Sequence, residues 1–556
     1  MPNFPFRLAA AVLFTSLASS LGGAQNYTAP SIPVIGSANT VTADPVVPKP
    51  SGPSCTVTLF TNYEFADFNP KYFSYTPACP GPWKKVVFEG DFNITAGRQF
   101  DRTAEIWIGG ANIYFGTTAE PSATVARNWH VESALTDYST LFNSAQNGRV
   151  DLGNLVNQTY TGIIYGSAKL VFYPVDDDAP RVADQVLPLS AGPTGGTVTL
   201  NTPTDMLSAT FTLPLNVEKA YLDVFAQSQG GDEFWYTCVP NDVASELQSC
   251  GGTAFRETEV TIDGTPAGVA PIYPWIYTGG IDPYLWRPIV GVHTLNFAPY
   301  RVDLTPFAGV LSNGQPHTVS LSVFNANGYF SATATLLVYQ DHGSGQVTGA
   351  VTRNTIQPAN PVIRENISNK NGDIRGTVKT DSNRSYQVAG YVNTSHGRVD
   401  TKVEQSIDFD NHQKFKINSS VYVQDISQST DTASTVSTTE DGKTTTQRVL
   451  RQYPLVADIS LAFNPDGSFS QTTHIVQGLE RSLVDKFNER VTYASNLLDY
   501  VSPSDTLLFD AQGNLTGNQG QRSEQIYRRS DSNGKCYYEK IKAKGGVLTS
   551  VKTGCN

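Results

Sequence analysis

Two stretches of the sequence gather carboxylates, arginines and aromatic rings within a few residues of one another. The first reads Gly97-Arg-Gln-Phe-Asp-Arg102, with Thr118-Ala-Glu-Pro121 and Trp129 downstream. The second reads Asp232-Glu-Phe-Trp-Tyr236, followed by Phe255-Arg-Glu257 and Gly279-Gly-Ile-Asp-Pro-Tyr-Leu-Trp-Arg-Pro288. Asp101 lies between Arg98 and Arg102, which should keep it ionised and supply donors for an oxyanion or for sugar hydroxyls. Neighbouring Asp232 and Glu233 should raise one another's pKa, as suits an acid or base. Two carboxyl groups with separated pKa values suffice for hydrolysis, one activating water and the other protonating the leaving atom. By composition alone, the same residues could equally be ion pairs closing strand turns over buried aromatics.

Other chemistries lack their motifs. There is no Gly-x-Ser-x-Gly, no His-Glu-x-x-His and no Cys-x-x-Cys, and the seven histidines are scattered, so neither metal nor cofactor is expected. The six cysteines form three close pairs, and neighbour pairing is expected: Cys55 with Cys79, Cys238 with Cys250, Cys536 with Cys555. A net charge of -11 argues against nucleic acid or an anionic membrane as partner, because phosphate binding needs a basic patch. Abundant aromatic residues with few charges suit either a core or a stacking surface for sugar.

The elements that must position these groups read as strands. Residues 1–24 have a signal-peptide layout, too short in apolar run to span a bilayer, and secretion is expected. Asn-x-Ser/Thr sequons at Asn26, Asn93, Asn157, Asn366, Asn383, Asn393, Asn418 and Asn514 are candidate glycosylation sites in that compartment. Residues 25–54, rich in Pro, Ser and Thr, should be an extended linker. From Cys55 onward short β-branched and aromatic runs bounded by Gly, Asn and Pro predict an all-β protein of two tandem jelly-roll or β-sandwich domains, 55–190 and 191–345. His342 to Gly349 reads as a linker, and 350–556 as a third β-rich region. Within that region Ser427 to Thr446 should be a flexible loop, and Leu483, Phe487, Val491 and Ala494 have helical spacing, although a strand fits too.

The ordered motifs Gly97–Arg102, Thr118–Pro121, Asp232–Tyr236, Phe255–Glu257, Ile262–Gly264, Gly279–Ile281 and Leu285–Ile289 resemble the acidic peptide-N4-(N-acetyl-β-glucosaminyl)asparagine amidase A family, over roughly Cys55 to Tyr339. The resemblance implies a secreted, metal-free amidase that cleaves the amide between Asn and the first GlcNAc of N-glycosylated peptides and glycoproteins. The products would be Asp and a glycosylamine. Asn112-Ile-Tyr-Phe-Gly116 departs from many members of the family, which carry an acidic residue and an Arg just before Thr-x-Thr-Ala-Glu-Pro, so substrate preference is expected to differ.

A more distant likeness to bacterial peptide N-glycosidases of two jelly rolls implies an Asp from the first domain and a Glu from the second, matching Asp101 and Glu233. On that basis Asp101 meets the GlcNAc-Asn linkage and activates water, while Glu233, Glu120 and Arg102 orient the sugar and stabilise the tetrahedral intermediate. Arg98, Trp129, Asp232, Trp235, Trp286 and Arg287 are the candidate sugar contacts. A non-catalytic glycan-binding protein and a glycosidase cutting between sugars remain the alternatives.

Overall fold

The computed structural model describes residues 33–175 and 179–555. The expected signal peptide and the Asn26 sequon lie outside them. Strands Cys55–Phe65, Ile164–Pro174, Trp83–Ile94 and Arg127–Ala134 form one antiparallel sheet in that spatial order. Lys71–Tyr75, Gln146–Asp151, Thr103–Ile108 and Ala111–Thr117 form the sheet facing it. The first strand therefore pairs with the eighth, the second with the seventh, and so inward, which is the jelly-roll order.

The same order repeats further along the chain. Val198–Leu200, Tyr329–Gln340, Val217–Gln229 and Tyr300–Asp303 face Leu207–Thr212, Pro316–Phe324, Glu257–Ile262 and Thr265–Pro271, with Gln185–Leu189 added along Tyr329–Gln340. Val217–Gln229 is buried along nearly its whole length. A strand loses its inside-outside alternation when both faces are covered. Here one face packs in its own sandwich and the other meets the first sandwich, as in the ring contact of Phe115 with Phe225. Backbone bonds cross the same junction, with Thr117 N–H donating to Thr294 O at 2.9 Å and Phe297 N–H to Phe115 O at 2.8 Å. Gly116 allows that approach, because a Cβ there would lie 2.3 Å from Leu295 O.

From Thr348 onward the chain forms a twelve-stranded antiparallel sheet with strands of up to 22 residues, such as Asp373–Thr394 and Gly397–Asn418. The segment expected as a flexible loop, 427–446, belongs to strands Val421–Glu440 and Lys443–Gln452. Its Ser and Thr content suggested a loop, yet Ile426, Gln428, Thr430 and Thr432 alternate inward in strand register. The helically spaced residues lie in strands Phe469–Phe487 and Arg490–Phe509. Asn488 and Glu489, at φ of 45° and 63°, form the two-residue hairpin turn between them.

Buried amides on the inner face of this sheet explain its polar composition. Asn411, Gln413 and Gln424 donate to the carbonyls of Tyr236, Cys238 and Thr237, each at 2.9 Å. Gln477 donates to Pro274 O at 2.7 Å and accepts from Val292 N–H at 2.9 Å. Gln521 donates to Arg287 O at 2.7 Å. Irregular loops have no ladder partners for their backbone groups, and burying them unsatisfied is costly. The sheet supplies the missing partners for the two loops, 230–238 and 272–299, that carry the motifs of the second sandwich.

Residues 33–54 are extended, as expected, but they are a packed strap rather than a free linker. Val41 bridges Ile289, Ala43 is fully buried, and Ala43 N–H donates to Gln525 Oε1 at 2.7 Å. The supposed linker 342–349 contains buried Val347 and runs into strand Thr348–Asn354. The three disulfides join Cys55 to Cys79, Cys238 to Cys250 and Cys536 to Cys555. Of the sequon asparagines, Asn157, Asn366, Asn383, Asn393 and Asn514 are exposed, while Asn93 and Asn418 are half-buried.

Candidate active site

Asp101 ends the crossing from Trp83–Ile94 to Thr103–Ile108, and Glu120 follows Ala111–Thr117 in the adjacent strand. The two segments are tied together by Thr118 N–H donating to Arg102 O at 2.8 Å and Arg102 N–H donating to Thr118 Oγ1 at 2.9 Å. Hairpin pairing thus brings residues nineteen apart in sequence to one end of the first sandwich. The 272–299 loop of the second sandwich closes over that end, held by Thr278 Oγ1 donating to Thr118 O at 2.8 Å.

Both carboxylates converge on Gly279. Its N–H donates to Asp101 Oδ2 at 3.1 Å. A Cβ built there would lie 2.5 Å from Glu120 Oε2 and 2.6 Å from Asp101 Oδ1, so glycine is required by the acids themselves. Arg287, from the same loop, donates to Glu120 Oε1 at 3.3 Å and to Pro121 O at 2.9 Å, and lies over the ring of Tyr284 at 4.7 Å.

Glu233 enters from the short turn after Val217–Gln229. This turn is anchored to the first sandwich by Gln229 Nε2 donating to Thr103 Oγ1 at 2.9 Å. Buried Tyr277, whose hydroxyl donates to Ser228 O, feels the charges of both Asp101 and Glu233.

Burial dominates the electrostatics. It raises Asp101 above the ordinary carboxylate range, against the opposing effects of the Gly279 N–H and the Arg102 charge. Glu120 is pushed up to about 8 by burial and then by the charge of Asp101, with Arg287 opposing. Glu233 is pushed up to about 7, again by burial first and Asp101 second. Arg102 is lowered by burial. Three acids in one half-dry site cannot all be charged at acidic pH, so protonated and ionised carboxyls coexist there.

Arg98 lies over the Tyr160 ring at 5.3 Å, and Arg102 donates to Gln99 Oε1 at 2.6 Å, so the flanking arginines do not dominate Asp101. Asp232 does not tune Glu233 or reach a ligand. Its side chain is fully buried, pairs with Arg256 at 2.9 Å and accepts from Asn327 N–H at 2.7 Å. Trp235 is fully buried against Phe409 of the C-terminal sheet. Trp129 stacks on Phe92 inside the first core, and Trp286 is buried with its indole N–H donating to Gly280 O at 2.9 Å. None of the three indoles is available as a sugar platform in this conformation.

The accessible aromatic surface lies elsewhere. Phe100, 37% exposed, packs beside Tyr160 at 5.4 Å, next to Asp101 and flanked by Arg98 and Arg102. Tyr284 and Tyr329 are half-buried near Arg287 and Glu233 respectively. Phe100 stood inside a recognised motif, but its exposure had no sequence signal. Tyr160 stood in no motif.

Residues 44–357 match the family model described as peptide N-acetyl-beta-D-glucosaminyl asparaginase amidase A. Peptide-N4-(N-acetyl-beta-glucosaminyl)asparagine amidase A of Prunus dulcis is 31% identical over 390 residues, covering 64% of this chain and 67% of that protein. Among solved structures, PNGF-II aligns with a TM-score of 0.37 at 13% identity, over 52% of this chain and 66% of its own. PNGase F, a glycosylasparaginase from Flavobacterium meningosepticum, aligns at 0.36 and 12%, over 52% and 96%.

Proposed function

The chain belongs to the peptide N-acetyl-β-D-glucosaminyl asparaginase amidase A family, and from that premise we propose that it hydrolyses the amide between Asn and the first GlcNAc of N-glycosylated peptides. The observation that carries the reading is the convergence of Asp101 and Glu120 on Gly279, with Glu233 brought to them from the second sandwich.

In this mechanism Asp101 is the ionised member: burial raises it, the Gly279 N–H and the Arg102 charge oppose that rise, and its charge raises both Glu120 and Glu233. It takes a proton from water as the oxygen attacks the side-chain carbonyl carbon. The tetrahedral oxyanion forms beside Arg102 and Arg287, half-buried charges already held in place by Gln99 and Glu120. Glu120 or Glu233, held protonated by burial, delivers a proton to the amide nitrogen as the C–N bond breaks. The products are Asp and a glycosylamine, which hydrolyses to the free sugar and ammonia. Phe100 and Tyr160 offer a stacking face for the first sugar.

Secretion and glycosylation are part of the same proposal. They are supported by three disulfides, which form in oxidising compartments, and by exposed sequons. The test is mass spectrometry of a defined glycopeptide. Release of the whole glycan with conversion of Asn to Asp is expected. A product retaining one GlcNAc would indicate a glycosidase, and intact glycopeptide a binding protein, and either result overturns the proposal.

A further inference from the structure

Two groups of histidine and acidic side chains bring three ligand atoms within 4.8 Å of one another: Glu89, His130 and Glu132, and Asp44, His293 and Asp499. The first is satisfied by the chain itself. Lys49 reaches Glu89 at 2.5 Å and Glu132 at 2.8 Å, Lys169 reaches Glu89 at 2.9 Å, and His130 bonds Asp91 at 2.8 Å and Glu132 at 3.0 Å.

The second group differs in every respect that matters. Asp499 is 0% exposed, and the charged group acting on it is another acid, Asp44. Gln525 Nε2 donates to Asp499 Oδ1 at 2.9 Å and to Asp44 Oδ1 at 3.1 Å, which orients both carboxylates. Asp499 Oδ2 nevertheless receives no N–H or hydroxyl donor and has only the Asp44 carboxyl beside it, and the buried Nε2 of His293 has no hydrogen-bond partner. Unpaired polar atoms in such a position are expensive, and a buried carboxylate beside a half-buried one without a counter-charge more so.

We propose that Asp44, His293 and Asp499 bind a structural divalent cation of the first transition row, Zn²⁺ being the best fit, that ties three separate parts of the chain together. One imidazole and two carboxylates are a borderline-soft donor set suited to zinc. Ligand distances of about 2.0–2.2 Å set tetrahedral ligand atoms about 3.4 Å apart, so atoms that now lie within 4.8 Å of one another draw together as the ion binds. Asp44 lies on the N-terminal strap, His293 on the 272–299 loop that also carries Gly279 and Arg287, and Asp499 on strand Arg490–Phe509 of the C-terminal sheet. The ion therefore holds the sheet and the strap onto the loop that closes the acid site, without taking part in hydrolysis.

The full chain is dialysed against EDTA, then against Zn²⁺, desalted, and assayed for zinc by mass spectrometry and for Tm. About one zinc per chain is expected, with Tm raised on the order of a few degrees over the chelated protein. His293→Gln and Asp499→Asn should each lose the zinc, and His130→Gln, in the lysine-filled cluster, should keep it. Wild-type protein that retains no zinc, or retains it equally in both variants, overturns the proposal. So does a Tm indifferent to chelation. The wild-type zinc content stands even if a variant fails to fold.

Discussion

Gly279→Ala isolates the geometry of the acid site from the chemistry of its acids. The backbone there is outside the left-handed region, so alanine adds no dihedral strain. It adds one carbon, 2.5 Å from Glu120 Oε2 and 2.6 Å from Asp101 Oδ1. Ordinary contact begins near 3.4 Å, so each carboxylate, or the loop, must retreat by about 0.8 Å. The 3.1 Å bond from the Gly279 N–H to Asp101 lengthens or breaks with it. Displacements near 1 Å in an active site cost about 10²-fold in rate, or roughly 2.7 kcal/mol of transition-state stabilisation. Stability should change little, since the lower chain entropy of alanine in the unfolded state favours folding by about 0.4–1 kcal/mol. The assay is glycan release from a glycopeptide by mass spectrometry, alongside Tm. Gly345→Ala, where the added carbon meets nothing within 4 Å, is the control. Wild-type turnover in Gly279→Ala refutes the placement of the reacting atoms between these acids.

Asp101→Asn and Glu233→Gln should each lower kcat by about 10²–10⁴-fold with Tm near wild type, and normal turnover in either refutes its role. Glu120 titrates near 4.5 unfolded and about 8 folded, so between those values the native state binds more protons. Its stabilising contribution is complete below pH 4.5 and is lost as pH rises through 8. Tm measured across that range should fall less steeply in Glu120→Gln than in wild type, and an identical slope refutes the assigned burial. Asp232→Ala leaves Arg256 charged and wholly buried, and should cost about 3–5 kcal/mol in denaturant unfolding. A surface aspartate would cost almost nothing.

Local sequence determined the strand-rich class, because short β-branched runs punctuated by Gly and Pro have few other ways to bury their side chains. It also determined the disulfide partners, since neighbouring cysteines close small loops. The motifs that resemble the amidase family singled out Asp101, Glu120, Glu233 and Arg287. Tertiary structure decided which of the marked residues face a ligand. Trp129, Trp235 and Trp286 share their composition signal with Phe100, yet burial is set by what packs over a ring. Asp232 and Glu233 are adjacent, but a turn points one at Arg256 and the other toward Asp101. The C-terminal third was hardest to read, because Gln, Ser and Thr ordinarily mark solvent-facing or mobile chain. Here they alternate inward to satisfy the backbone of loops from another sheet, and no local pattern can encode a partner some two hundred residues away.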